Sequence, residues 1–333
     1  MTTVYTAMRD GLVVATGEGD GWTAAETLDG HSLEFAAADP GAPDRLFVGT
    51  FESGLLRSED GGESFERVGA DVIESEAVMS ATFHPENPDE VWVGTEPSAV
   101  YRSFDGGDSW EHVGGITDLP SEDEWFFPPR PHTHHVRWLE IDPNDPERVY
   151  VGIEAGAFVL SEDGGETWRE RPPGSQRDNH TLAIHPESPG RVYSAAGDGY
   201  AESTDSGESW ESFEEGLEHT YVWGLAVDPG EPDTVIVSSA TGAGNAHRVP
   251  AESYLYRKAG GNEAWERLDD RGIPTGEGIV RAVLARGLDD GELFAANNHG
   301  IYHTGDGGDS WDRLGIDWPD RFEEQTARGL AVV

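Results

Sequence analysis

Three of the twelve histidines fall within five residues, Pro131-His132-Thr133-His134-His135. Imidazole is the commonest metal ligand, and two or three imidazoles with one carboxylate suit Zn, Mn or Fe. A carboxylate is at hand. If a turn at 142–147 closes an antiparallel strand pair, Ile141 faces Arg148. Stepping back along both strands then puts His135 opposite Glu154, within side-chain reach on such a ladder. His180 opens the matching strand of the next stretch of similar sequence. The expectation is one divalent transition metal held by His134, His135, His180 and Glu154, with His132 in reserve. Adjacent His134 and His135 point to opposite faces of a regular strand, so only one of them is a ligand unless the strand starts after them. The plainer alternative is loop histidines hydrogen-bonded to ordinary carboxylates.

Other side chains suggest other chemistry. Glu96 and Glu154 close matching strands in neighbouring stretches, and Asp178 enters from the next loop. Such carboxylates could act as a glycosidase pair, which needs a separation of about 5–5.5 Å for retention or about 6.5–9.5 Å for inversion. With 65 acidic residues in the chain, two near each other are expected by chance. Arg137, Arg281 and Arg328 hold equivalent positions in three stretches. Converging guanidiniums would bind a carboxylate or phosphate, with Tyr221 and Trp223 beside them; alternatively each arginine neutralises local acids.

The elements that must position these groups are repeats. The phrase Ser58-Glu-Asp60-Gly-Gly-Glu-Ser-Phe65 returns as Ser103…Trp110, Ser161…Trp168, Ser203…Trp210 and Thr304…Trp311. A worn copy ends at Trp265, with Lys258 and Gly260 in place of the Ser and Asp. Asp can bond backbone N–H groups two residues on, and Gly supplies positive φ, so the phrase reads as a hairpin corner whose aromatic packs back into its sheet. Around each phrase lie four short strands, the first ending in Asp-Pro or His-Pro (SATFHP, VRWLEIDP, LAIHP, LAVDP). Four antiparallel strands per unit of about 42–58 residues is a propeller blade. Six units run from Leu33 to Leu314. The ends supply a seventh, split between 1–28 and 326–333. The fold class predicted is all-β: one seven-bladed β-propeller domain over 1–333.

The recurring S-x-D-x-G-x-[ST]-W phrase resembles the Asp box, or BNR repeat, of bacterial neuraminidases, sortilin-type receptors, xyloglucan-cleaving glycosidases and the photosystem II assembly factor. The resemblance covers nearly the whole chain and implies the propeller fold. The neuraminidase Phe-Arg-Ile-Pro motif is absent. This fold hosts hydrolases, receptors and assembly factors, so function rests on a site. Long loops at 115–135, 239–254 and 315–327 point to the end of the blades opposite the boxes. A ring of strand-opening residues, Glu34, Met79, Arg137, His180, Trp223, Arg281 and Arg328, is expected at the channel mouth there, walled by Trp125, Phe126, Phe127 and Trp318. Three functions follow: a ligand or metal site, with a hydrolase as its catalytic form; a non-catalytic protein-interaction scaffold; or a glycosidase-like enzyme. The partner would be a small anionic molecule or a protein.

Composition narrows the setting. Net charge is −43, and Lys258 is the sole lysine among 22 basic residues. This resembles proteins of salt-accumulating halophiles. At molar salt the Debye length is about 3 Å, which screens self-repulsion among carboxylates. The charge disfavours nucleic acid and anionic membranes. There is no cysteine, hence no disulfide framework. No apolar run is long enough to span a bilayer and no signal peptide is seen, so a cytoplasmic location is expected. The melting temperature should fall as KCl is lowered from molar to millimolar; an unchanged value would contradict the halophilic reading.

Overall fold

In the computed structural model, largely buried inner strands and exposed outer ones assemble into seven antiparallel sheets of four main strands, the blades of a seven-bladed β-propeller. The structure describes residues 1–19, 21–260 and 264–333. Residues 261–263 of the worn repeat lie outside it. Among the described residues, helix is confined to Ala243–His247 and three short 3-10 turns. Among the described residues, no helix is long and apolar enough to cross a membrane.

The chain divides into two compact units. One comprises 37–196 and 201–212; the other comprises 1–36, 197–200 and 213–333. In the first unit, the second blade joins Ala77–His84, Asn87–Glu96, Val100–Ser103 and Glu111–Val113. The third joins Val136–Ile141, Val149–Ile153, Phe158–Ser161 and Arg169–Glu170. The fourth opens with Asn179–Ile184. Trp92, Val136, Val151, Ile153 and Trp168 belong to one buried cluster between the second and third blades. In the other unit, Gly329–Val332 pairs with Thr2–Met8, so the seventh blade draws on both ends of the sequence. Val4, Phe294, Ala327 and Val332 share its core.

The repeated corners are structural, with a division of labour that differs from the expected one. The leading hydroxyl, not Asp, serves the nearer donors: Ser58 Oγ accepts from Asp60 N (3.3 Å) and Gly62 N (2.9 Å). Asp60 accepts from Ser64 N at 2.8 Å and Ser64 Oγ at 2.5 Å, four residues on. These hydrogen bonds hold the Asp60 carboxyl down at about 2. The same set recurs at Asp105, Asp163, Asp205 and Asp306. The closing aromatic reaches the preceding blade rather than its own sheet. Trp110 meets Phe47 edge-on at 6.3 Å, and Trp210 meets Phe158 at 4.8 Å.

Each of four innermost strands carries a β-bulge one or two residues from its start. The register shifts skip Met79, Arg137, His180 and Trp223. A bulge adds one unpaired residue and re-aims its side chain. These are four of the seven strand-opening positions singled out above.

Candidate functional site

The site in the first unit grows from a two-residue pattern. Gly94-Thr95-Glu96 and Gly152-Ile153-Glu154 end the second strands of blades two and three. A Cβ on Gly94 would sit 2.3 Å from Val136 Cγ1, and one on Gly152 would sit 2.9 Å from Asn179 Cβ. Only glycine lets the next blade's innermost strand come this close. Two residues later, on the same face of the strand, each glutamate therefore reaches across to that neighbour.

Glu96 and Glu154 meet on His135. Its Nε2 lies 2.9 Å from Glu154 Oε2, and its Nδ1 lies 3.1 Å from Glu96 Oε2, the second contact bent away from the ring N–H direction. All three side chains are buried. Glu96 also accepts a bidentate pair from Arg130, Nε to Oε1 and Nη2 to Oε2, both 2.6 Å. The Arg130 guanidinium is sandwiched between Phe51 (4.7 Å) and Phe127 (4.6 Å). Phe127 also packs edge-on against His135 at 4.8 Å. Arg137 Nε stands 4.0 Å from Glu154 Oε2.

Charge alternates along this chain, and the protonation states follow from it. Burial alone would lower His135, but hydrogen bonds to Glu154 and Glu96 outweigh it and raise the imidazole above its usual value. Burial alone would raise Glu96, but His135 and Arg130 hold it down at about 2. Glu154 is likewise held below the usual range against burial, by His135 first and then by the charges of His180 and Arg137. A depressed carboxyl stabilises the fold above its unfolded value and loses that contribution as it protonates in the native state. For Glu96 the window runs from about pH 4.5 down to about 2. Glu96→Gln should therefore flatten the fall of urea-unfolding stability across that window. A slope equal to wild type would show that Glu96 does not carry it.

A second group adjoins the chain. One ligating atom each from Glu154, Asp178 and His180 lie within 4.8 Å of one another. His180 is fully buried at its bulge, with Nε2 3.7 Å from Asp178 Oδ2. Asp178 is held by Ala155 N, which donates to Oδ1 at 2.9 Å, and is one-third exposed. Ala155 takes a left-handed turn (φ 52°) to aim that N–H.

The expected metal set is thus only partly brought together. His180 and Glu154 converge, but the third member is Asp178, which the sequence suggested as a catalytic carboxylate. Both nitrogens of His135 face carboxylates. His134 is elsewhere: Nδ1 lies 2.8 Å from Ser98 Oγ and Nε2 3.1 Å from Glu122 Oε1. His132 is exposed. Trp125 is core, not wall; it is buried in the cluster under the third blade.

The expected ligand-binding residues have local partners. In the second unit the Arg281 guanidinium lies 4.1 Å over Trp223 and Nη1 donates to Ala327 O at 2.8 Å. Arg281 Nε donates to His247 Nδ1 at 3.3 Å. That nitrogen therefore carries a lone pair, and neutral His247 bears its proton on Nε2, facing the Tyr221 hydroxyl at 3.1 Å. Arg281 is fully buried in this stack. Arg328 Nη1 lies 3.6 Å from Glu34. Arg130 and His247 were not anticipated. The Gly-x-Glu pattern marks where a cation such as Arg130 would be needed, whereas nothing local marks His247.

No protein-family profile matches the chain. A stretch of 81 residues, 22% of the chain, is 32% identical to part of the oligoxyloglucan-reducing end-specific xyloglucanase of Emericella nidulans. It covers only 10% of that enzyme. Among solved structures, the GH74 enzyme of Niastella koreensis matches with a TM-score of 0.70 at 16% identity, over 97% of this chain and 52% of that one. YCF48 bound to D1 peptide matches with a TM-score of 0.58 at 18% identity, over 85% of this chain and 82% of that one. The chain spans about a tenth of the curated relative and about half of the GH74 enzyme. What these similarities establish is the fold, a seven-bladed β-propeller with GH74 and YCF48 propellers as structural neighbours.

Proposed function

We propose that this propeller is a cation-binding protein whose site is the Glu154–Asp178–His180 group. The observation that carries the reading is the convergence of two carboxylates and an imidazole from two adjacent blades within 4.8 Å. A mixed N/O set of this kind suits Zn, Mn or Fe. Asp178, one-third exposed, gives the ion a route in. Two carboxylates converging on one spot favour a metal ion there over an unaccompanied anionic ligand. Arg137 and the His135 imidazolium reduce the negative charge beside the site. Affinity should accordingly be weaker than at a closed structural zinc site, and exchange easier.

A glycosidase built on Glu96 and Glu154 is disfavoured. The His135 ring occupies the space between them, and a general acid needs a raised pKa, whereas both are depressed. An interaction scaffold has less support. The exposed large apolar side chains Phe104, Phe126, Val249 and Leu288 come from separate segments. The halophilic setting rests on composition and on the salt experiment above.

The test is elemental analysis of protein made without a histidine tag and dialysed against Zn or Mn in molar KCl. One ion per chain is expected, and it should be lost in Asp178→Asn, whose partly exposed side chain leaves the fold intact. Metal-free protein, or equal loading of the variant, would overturn the assignment.

A further inference from the structure

A second site lies in the other unit, where a cavity of about 370 Å³ is lined by Arg9, Asp10, His31, His247, Glu324 and Thr326 among others. It joins four parts of the sequence: the turn between the strands Thr2–Met8 and Gly11–Gly17, the link before Leu33, and two of the long loops. Its wall is fixed by backbone bonds, Gly30 N to Asp10 O at 3.0 Å and Leu33 N to Arg9 O at 3.1 Å. His247 is fixed by Arg281 and Tyr221.

Two charges of opposite sign on this wall are left without an ion pair. Most arginines here lie against a carboxylate, as Arg45, Arg57, Arg169 and Arg321 do. Arg9 does not. Among the described residues it has no acidic group within ion-pair distance, although the chain carries 65 carboxylates. Glu324, on the same cavity, likewise has no basic partner, and the two do not pair with each other. Asp10 is already engaged by Arg321 Nε at 3.6 Å. One cation and one anion that do not pair with each other therefore line the same polar cavity, which is within the size range of small-molecule pockets.

We propose that this cavity binds a small zwitterion, a molecule bearing a carboxylate and an ammonium group such as an amino acid or dipeptide. Its carboxylate pairs with Arg9 and its ammonium with Glu324, while the His31 and Thr326 side chains offer polar contacts along the wall. The separation of the two charges is the selective element. A lone anion meets Arg9 but also Asp10 and Glu324; a lone cation meets the reverse. Only a molecule with both charges satisfies both ends.

The test is isothermal titration in molar KCl with L-alanine and diglycine, with acetate and methylammonium as single-charge controls. At least one zwitterion should bind, and each control should bind at least tenfold more weakly. Arg9→Gln and Glu324→Gln should each weaken the zwitterion at least tenfold, while Arg286→Gln, at an exposed arginine outside the cavity lining, should not. Both cavity side chains are exposed, so unchanged melting curves are expected to separate binding from folding. Absence of binding by both zwitterions, equal binding of acetate, or unaltered affinity in both cavity variants would overturn the proposal. Since it uses no residue of the metal group, chelation should leave it unaffected.

Discussion

Replacing His135 by leucine should cost about 3–5 kcal/mol, the range for removing one partner from a buried ion pair. The loss exceeds that of a single hydrogen bond because two buried carboxylates, Glu96 and Glu154, lose the cation between them. Glu96 keeps its bidentate Arg130, whereas Glu154 keeps the more distant charges of His180 and of Arg137, the latter at 4.0 Å. The double variant His135→Leu/Glu154→Leu should therefore recover most of the stability, since it removes the orphaned charge along with its partner. Urea unfolding of wild type, single and double variants measures this. A single variant as stable as wild type, or a double no better than the single, would contradict the ion-chain account.

The largest effect is expected from deleting residues 326–333. These supply the first strand of the seventh blade, paired from Gly329–Ala7 to Val332–Val4 and extended by reciprocal bonds between Thr3 and Val333. Ala327 and Val332 leave the core with it. Exposing such side chains costs about 1.5–3 kcal/mol for a full valine or leucine. The truncation also opens a bare strand edge on Thr2–Met8, prone to pairing with other chains. Against a total stability of roughly 5–15 kcal/mol, the truncated protein should be unfolded or aggregated at room temperature. A cooperative thermal transition close to wild type would show that the seventh blade does not need this strand.

How much of this could be read from the sequence depended on whether the signal was local. The repeated corners mark six of the seven blades because each of the five intact ones is closed within eight residues by its own hydroxyl and carboxylate, and the sixth keeps its closing Trp265; the seventh blade was read from strand patterns at the two ends. The pairing of His135 with Glu154 also emerged, although the assumed register was off by one at the turn. Ile141 faces Val149, not Arg148, and the bulge at Arg137 restores the predicted partner. Bulges are not visible in alternation patterns, so the agreement depended on a compensating irregularity. His134 was misplaced because its partners, Ser98 and Glu122, belong to other segments of the unit. Arg281 was expected to bind a ligand at the channel mouth; a bulge-positioned Trp223 and the remote His247 pack against its guanidinium, contacts that no local pattern announces. Arg130 escaped notice because its role depends on two distant residues, Phe51 and Glu96, as well as on nearby Phe127.

Anomalous diffraction tests the central claim most directly. Crystals grown at high salt and soaked in a manganese or zinc salt should show one strong anomalous peak at roughly 2.0–2.3 Å from an oxygen of Glu154, an oxygen of Asp178 and a ring nitrogen of His180. That peak should vanish in Asp178→Asn. A soaked crystal with no peak there, or with metal bound only at surface carboxylates, would contradict the assignment of this group as the protein's cation site.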